Sequence, residues 1–112
     1  MENKRRLEKF FALENARDWA AYQVYLHPLV EWRLFDDNGG EACFRGVEEY
    51  MRKIQAAYAG SAAAFHCLAL YAASDGQRIA AVLQNTLGEI SIDIFEFSDG
   101  LIIREYEFPM KA

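Results

Sequence analysis

The chain has 112 residues, 53% hydrophobic and 26% charged, which is enough for one globular domain spanning 1–112 and too short for two. Its net charge of −5 at pH 7 argues against nucleic acid, whose phosphates select basic faces. No apolar run approaches the ~20 residues of a membrane-spanning helix, so no membrane partner is expected.

The charged start, Met1-Glu2-Asn3-Lys4-Arg5-Arg6, leads into an amphipathic segment rather than an apolar signal core. Leu7, Phe10, Phe11 and Leu13 recur at helical spacing and predict a helix over 4–14 with one buried face. Asn15-Ala16-Arg17-Asp18 interrupts it, and Asp18 can cap a short second helix that turns Trp19, Tyr22 and Tyr25 inward. His27-Pro28 ends that helix, because proline lacks a donor and disfavours helical geometry before it. Residues 29–35 then alternate as a strand, and Asp36-Asp37-Asn38-Gly39-Gly40 is turn chemistry. Phe44-Arg45-Gly46 opens a third helix carrying Val47, Tyr50, Met51, Ile54, Ala57 and Tyr58, with Gly60 as its stop. Runs over 64–73 and 78–87 form a hairpin around Ser74-Asp75-Gly76-Gln77. The last hairpin, 88–108, turns at Asp99-Gly100. The predicted order is ααβαββββ, an α+β arrangement of helices followed by an antiparallel sheet.

Four pieces of this chain resemble the SnoaL-like branch of the nuclear transport factor 2-like superfamily. They are Asn15–Trp19 between the first helices, Leu26–Trp32 entering the first strand, Phe44-Arg45-Gly46, and Asp93–Ile102. The resemblance implies a cone: a strongly bent antiparallel sheet wrapped around three helices, with a pocket inside. It also implies a homodimer through the sheet face that points away from the pocket. The superfamily holds isomerases, cyclases, dehydratases, epoxide hydrolases and non-catalytic binders, so the fold leaves the function to particular residues. Against ketosteroid isomerases, Asp93 falls where that family keeps a protonated acid. However, Phe10 stands at the helix-one tyrosine and Leu34 near the general base. Against polyketide cyclases, Glu107 falls near the acid/base carboxylate and Glu105 near a polar neighbour. Against limonene epoxide hydrolases, Ser91 replaces the arginine two residues before Asp93.

The residues themselves point to a polar pocket in an apolar sheet. Asp93 lies between isoleucines, and a carboxylate that has lost its water needs a partner or a raised pKa. Glu105 and Glu107 share one face of the returning strand, Arg104 and Tyr106 the other. Alternation leaves open which face is buried. If the glutamates point inward, they join Ser91, Asp93, Phe95 and Phe97, and Ile92, Ile94, Ile102, Tyr106 and Phe108 form an apolar outer surface suited to dimerisation. If they point outward, the isoleucines fill the core. His66 is either a base on the pocket wall or a histidine held by a backbone carbonyl, and His27 caps or lies at the surface. The candidate catalytic residues are Asp93, Glu107 and His66. The candidate pocket residues are Trp19, Tyr22, Trp32, Tyr58, Phe95 and Glu105. The isolated histidines make no metal site, Cys43 and Cys67 lack ligand spacing and read as free cytoplasmic thiols, and no cofactor is expected. Two functions remain in view. One is a pocket protein for a small hydrophobic or aromatic molecule, capable of cofactor-free acid/base chemistry. The other is a non-catalytic ligand-binding or dimerisation module.

Overall fold

Helices cover one face of a six-stranded sheet in the computed structural model, which describes residues 2–111. In chain order the elements are α1 (Glu2–Ala16), α2 (Trp19–Tyr22), a 3-10 turn (Gln23–Tyr25), β1 (Leu26–Phe35), β2 (Glu41–Arg45), α3 (Val47–Tyr58), β3 (Phe65–Ala72), β4 (Arg78–Asn85), β5 (Ile90–Ser98) and β6 (Leu101–Met110). The strands lie in the order β2-β1-β6-β5-β4-β3. Among the described residues no helix is long and apolar enough to cross a membrane.

The α+β cone with its three helices is present, with two corrections. The sheet is mixed, because β1 and β6 pair in parallel while the other neighbours are antiparallel. A further strand, β2, takes up Phe44 and Arg45 as partners of Trp32 and Glu31, so α3 begins after Gly46 rather than at Phe44. The helical stretch is over before His27 and Pro28, as expected, and both lie in β1. Proline has no backbone donor, and the pairing of β1 with β6 shifts register between Leu26 and Glu31.

α1 buries Leu7, Phe10 and Phe11 against the sheet and stops at Arg17, which sits in the left-handed region at φ 60°. That conformation is unfavourable for a side chain with a Cβ. Here the Arg17 guanidinium offsets the cost by donating to the carbonyls of Ser61 and Ala63 at 2.9 and 2.6 Å and stacking 4.1 Å from the Tyr58 ring. The last turn of α1, which carries Glu14, is thereby tied to the end of α3. α3 turns Tyr50, Ile54 and Tyr58 inward at four-residue spacing, one stripe of the helix.

The β5–β6 hairpin settles which face is buried. Asp99 at φ 51° and Gly100 at φ 79° make the two-residue turn, and Asp93 pairs with Glu107 and Phe95 with Glu105. Asp93, Phe95, Phe97 and Glu105 are buried, so both glutamates point inward with them. The opposite face carries half-buried Ile92, Ile94, Tyr106 and Phe108. Ile102 does not belong to that outer surface. A register shift pairs Glu96 with Arg104 but Phe97 with Ile102, leaving Ile103 as an extra residue. The alternation flips there, and Ile102 is buried in the core at 1% exposure.

Candidate active site

Six carboxyl groups line one cavity of about 810 Å³; Asp37 and Glu89 are exposed, and the other four come together on its wall: Glu14 from the last turn of α1, Asp93 from β5, and Glu105 and Glu107 from β6. Aromatic side chains from three layers complete the wall, with Phe11 from α1, Tyr58 from α3, and Phe65 and Phe95 from the sheet. One oxygen each of Asp93, Glu105 and Glu107 lies within 4.8 Å of the others. Among the described residues that line the cavity the one cation is Lys111, already paired with Asp37 at 3.1 Å.

Each carboxyl has a different environment. The Tyr50 hydroxyl donates to Glu105 Oε1 at 2.5 Å and the Trp32 indole N–H donates to Glu107 Oε1 at 3.2 Å. Glu14 accepts from the Tyr58 hydroxyl at 2.6 Å and lies 3.3 Å from that of Tyr22. Asp93 is 4% exposed and its Oδ1 has no hydrogen-bond partner. An unpartnered buried acceptor costs about 1–3 kcal/mol.

Burial and crowding push these acids toward their neutral forms. Burial is the largest cause of the rise at Glu14, which is pushed up to about 7; the Glu107 charge adds to it, while hydrogen bonds from Tyr58 and Tyr22 and the Arg17 charge oppose it. Asp93 is held well above the usual carboxylate range by burial and then by the Glu107 charge, against the Ser91 hydroxyl. Glu105 is also raised well above that range by burial and by Asp93 and Glu107, against the Tyr50 hydrogen bond. Glu107 is raised by burial and eased by Trp32. Adjacent carboxylates in a dry site cannot all ionise, so the group holds shared protons near neutral pH. It can therefore offer an acid and a base side by side. Three clustered carboxylates can also present oxygens to a hard divalent cation.

The candidate residues divide by position. Asp93, Glu105, Glu107, Tyr58 and Phe95 line the cavity. Tyr22 and Trp32 lie behind it, with Tyr22 at 0% exposure and Trp32 holding Glu107. Trp19 packs edge-on against Tyr22 and tilted on Tyr58, at ring separations of 5.1 and 5.7 Å, and supports the wall without lining it. His66 is exposed on β3, on the side opposite Phe65, and is not among the cavity residues. His66 is therefore not placed to act as a base in the cavity. Glu14 and Tyr50 were not singled out from the sequence. Glu14 carried a signal, since it continues the stripe of Leu7, Phe10 and Phe11 at helical spacing and places a charge on an apolar face.

No family model and no curated protein matches the chain in sequence. Solved structures match it in fold. Bal32a, from a soil-derived mobile gene cassette, superposes with a TM-score of 0.86 at 18% identity over 98% of this chain and 90% of its own. The chain has the nuclear transport factor 2-like fold. A SnoaL-like protein of unknown function from Burkholderia thailandensis E264 gives 0.84 at 16% identity, over 98% of this chain and 96% of that one. A protein provisionally classed as a ketosteroid isomerase, from Kribbella flavida DSM 17836, gives 0.82 at 22% identity, over 99% and 79%. Within this nuclear transport factor 2-like cone, Phe10 at the helix-one position stacks on Tyr22 at 4.1 Å. The hydroxyls that reach the acid cluster come instead from Tyr22, Tyr50 and Tyr58.

Proposed function

We propose that this protein is a cofactor-independent acid/base catalyst for a small hydrophobic or aromatic molecule, of the isomerase, cyclase or dehydratase type, working in the cytoplasm as a homodimer. The observation that carries the reading is Asp93 Oδ1, buried on the cavity wall without a partner beside two further carboxyls. A fold that leaves one buried oxygen of such a group without a structural partner keeps it for a ligand. Phe11, Phe65 and Phe95 would bind the apolar body, and the carboxyls would handle its polar end. One acid of the cluster donates a proton while an ionised neighbour accepts one, with no metal or redox step required. The outer sheet face, with Ile92, Ile94, Tyr106 and Phe108, supplies the dimer surface. Structural neighbours described as SnoaL-like and isomerase-like support the class of chemistry and not a substrate.

The test is a thermal-shift screen of aromatic and alicyclic carbonyl compounds, followed by turnover of any hit in wild type and Asp93→Asn. Catalysis predicts a loss of about 10²-fold or more in kcat with ligand binding retained. A binding module is the second reading, favoured by Phe10, Leu34 and Ser91 at positions where catalytic relatives carry functional groups. In that case Asp93→Asn changes affinity or stability, and no hit turns over.

A further inference from the structure

An unbroken chain of side-chain hydrogen bonds runs through the core from Glu14 to Glu105. The Tyr22 hydroxyl lies 3.3 Å from Glu14 Oε1 and 3.0 Å from the Tyr50 hydroxyl, and the Tyr50 hydroxyl lies 2.5 Å from Glu105 Oε1. Tyr58 closes the other side of Glu14 by donating to Oε2. Tyr22 and Tyr50 are 0% and 1% exposed, so water does not substitute for a missing link.

Proton counting restricts this chain to two states. Each tyrosine has one hydroxyl proton. If Tyr50 gives its proton to an ionised Glu105, then Tyr22 must be the donor to Tyr50. Tyr22 then has nothing left for Glu14, and their contact is a hydrogen bond only when Glu14 is the acid and donates. The mirror arrangement also closes: Glu105 is the acid, every link reverses, and an ionised Glu14 accepts from Tyr22 and Tyr58. With both ends ionised, no proton lies between Tyr22 and Tyr50. With both ends protonated, one buried hydroxyl proton has no acceptor. Leaving a buried polar group unmade is costly, so the single-proton states are favoured.

We propose that Glu14 and Glu105 share one proton through Tyr22 and Tyr50, a relay between two stations on the same cavity wall. Burial raises both tyrosines well above their ordinary value, so they stay neutral and pass protons rather than hold charge. The groups facing the ends are Arg17, Tyr58 and Glu107 at Glu14, and Asp93 and Glu107 at Glu105.

The consequence for turnover rests on the acid/base reading above. Glu105 as carboxylate takes a proton from a substrate carbon beside a carbonyl, and the C–H electron pair becomes the π bond of the enolate. Glu14 as acid delivers its proton to a second atom of the same molecule, where the new bond forms. The relay then moves the proton now on Glu105 through Tyr50 and Tyr22 to Glu14, restoring both groups. Atoms and charge balance without a co-reactant, which favours internal proton transfer over hydrolysis. Glu105 and Glu14 would act on substrate, and Tyr22 and Tyr50 would act through them.

The relay is testable without a substrate. Protein labelled with ¹³C at the glutamate carboxyls is titrated by NMR, with Glu14→Gln and Glu105→Gln assigning the two resonances. In wild type the two resonances should share an inflection at the same pH, because the first proton bound by the pair is divided between both ends. Tyr22→Phe keeps both carboxyls and their separation, so coupling through space is unchanged while the relay is cut. The prediction is that the inflection common to both resonances is then lost: Glu14 titrates about one pH unit or more away from any inflection of Glu105, tenfold in proton occupancy, while Glu105 keeps its coupling to Asp93 and Glu107. Tyr50→Phe should decouple the pair in the same way, and serves if Tyr22→Phe fails to fold. Separate inflections in wild type, or a shared inflection that persists in a folded Tyr→Phe variant, overturn the relay. That outcome leaves the Asp93→Asn turnover test untouched, so the two ideas fail separately.

Discussion

At the scale of single residues, Glu14 has the clearest consequence for stability. Its carboxyl is raised from 4.5 to about 7, chiefly by burial. The folded chain therefore keeps a proton that the unfolded chain releases above pH 4.5. This contribution is fully present below that pH and is lost as pH rises through the folded value near 7, at a cost of about 3 kcal/mol. Asp93, Glu105 and Glu107 are raised too and act in the same direction. Thermal melts should therefore show Tm falling between pH 5 and pH 8. Glu14→Gln should reduce that slope, because glutamine stays neutral while donating to Tyr22 and accepting from Tyr58. An identical slope in the variant would mean that Glu14 ionises freely. Asp93→Asn carries a similar expectation: it removes a buried ionisable group and should raise stability at pH 8 by roughly 1 kcal/mol. Gain of stability with loss of turnover would mark Asp93 as a functional group rather than a structural one.

At the scale of elements, the β5–β6 hairpin places three of the four acids, and its turn fixes their register. Gly100 lies at φ 79°, and a Cβ there would meet the Arg6 guanidinium at 3.0 Å. Gly100→Ala should cost about 1–2 kcal/mol, read as a lower urea midpoint at unchanged m, because the left-handed region penalises a Cβ. A midpoint equal to wild type would mean that the turn relaxes to another type. The Asp-Gly turn and the flanking alternation made this hairpin legible in the sequence, as did the grouping of Asp93 with Glu105 and Glu107. What alternation could not supply was the sign of the face, because parity is the same whether the glutamates or the isoleucines point inward. Ile102 was misplaced because a single extra residue at Ile103 reverses the parity, and nothing in Leu-Ile-Ile marks a bulge. β2 was missed because its five residues are short and run directly into the helix at Gly46. Glu14 went unread because a helix judged by its apolar positions hides an acid on the same stripe. The Tyr50–Glu105 contact joins positions 55 residues apart, and periodicity does not reach so far.

At the scale of the whole molecule, the sheet has two faces and the helices cover one of them. The cavity and all four acids belong to the covered face. The other face leaves Ile92, Ile94, Tyr106 and Phe108 half-buried within one chain, with Phe35 stacked on Phe108 at 4.6 Å. It is edged by charged groups, Glu96 bridging Arg78 and Arg104. An apolar centre with a charged rim is the anatomy of a protein interface. A second copy is the occupant proposed here, because a two-fold axis can set the same patch against itself. Sedimentation equilibrium should then give a dimer at micromolar concentration. Ile94→Lys puts a charge at the centre of the patch, where desolvating it unpaired is costly, and should weaken association at least tenfold. Because Ile94 points away from the cavity, the monomeric variant should keep the carboxyl titrations of the wild type. A wild-type monomer at high micromolar concentration would remove the dimer from the proposal. Altered titrations in a folded Ile94→Lys monomer would instead mean that the two faces of the sheet are coupled, with the partner helping to shape the acid cluster.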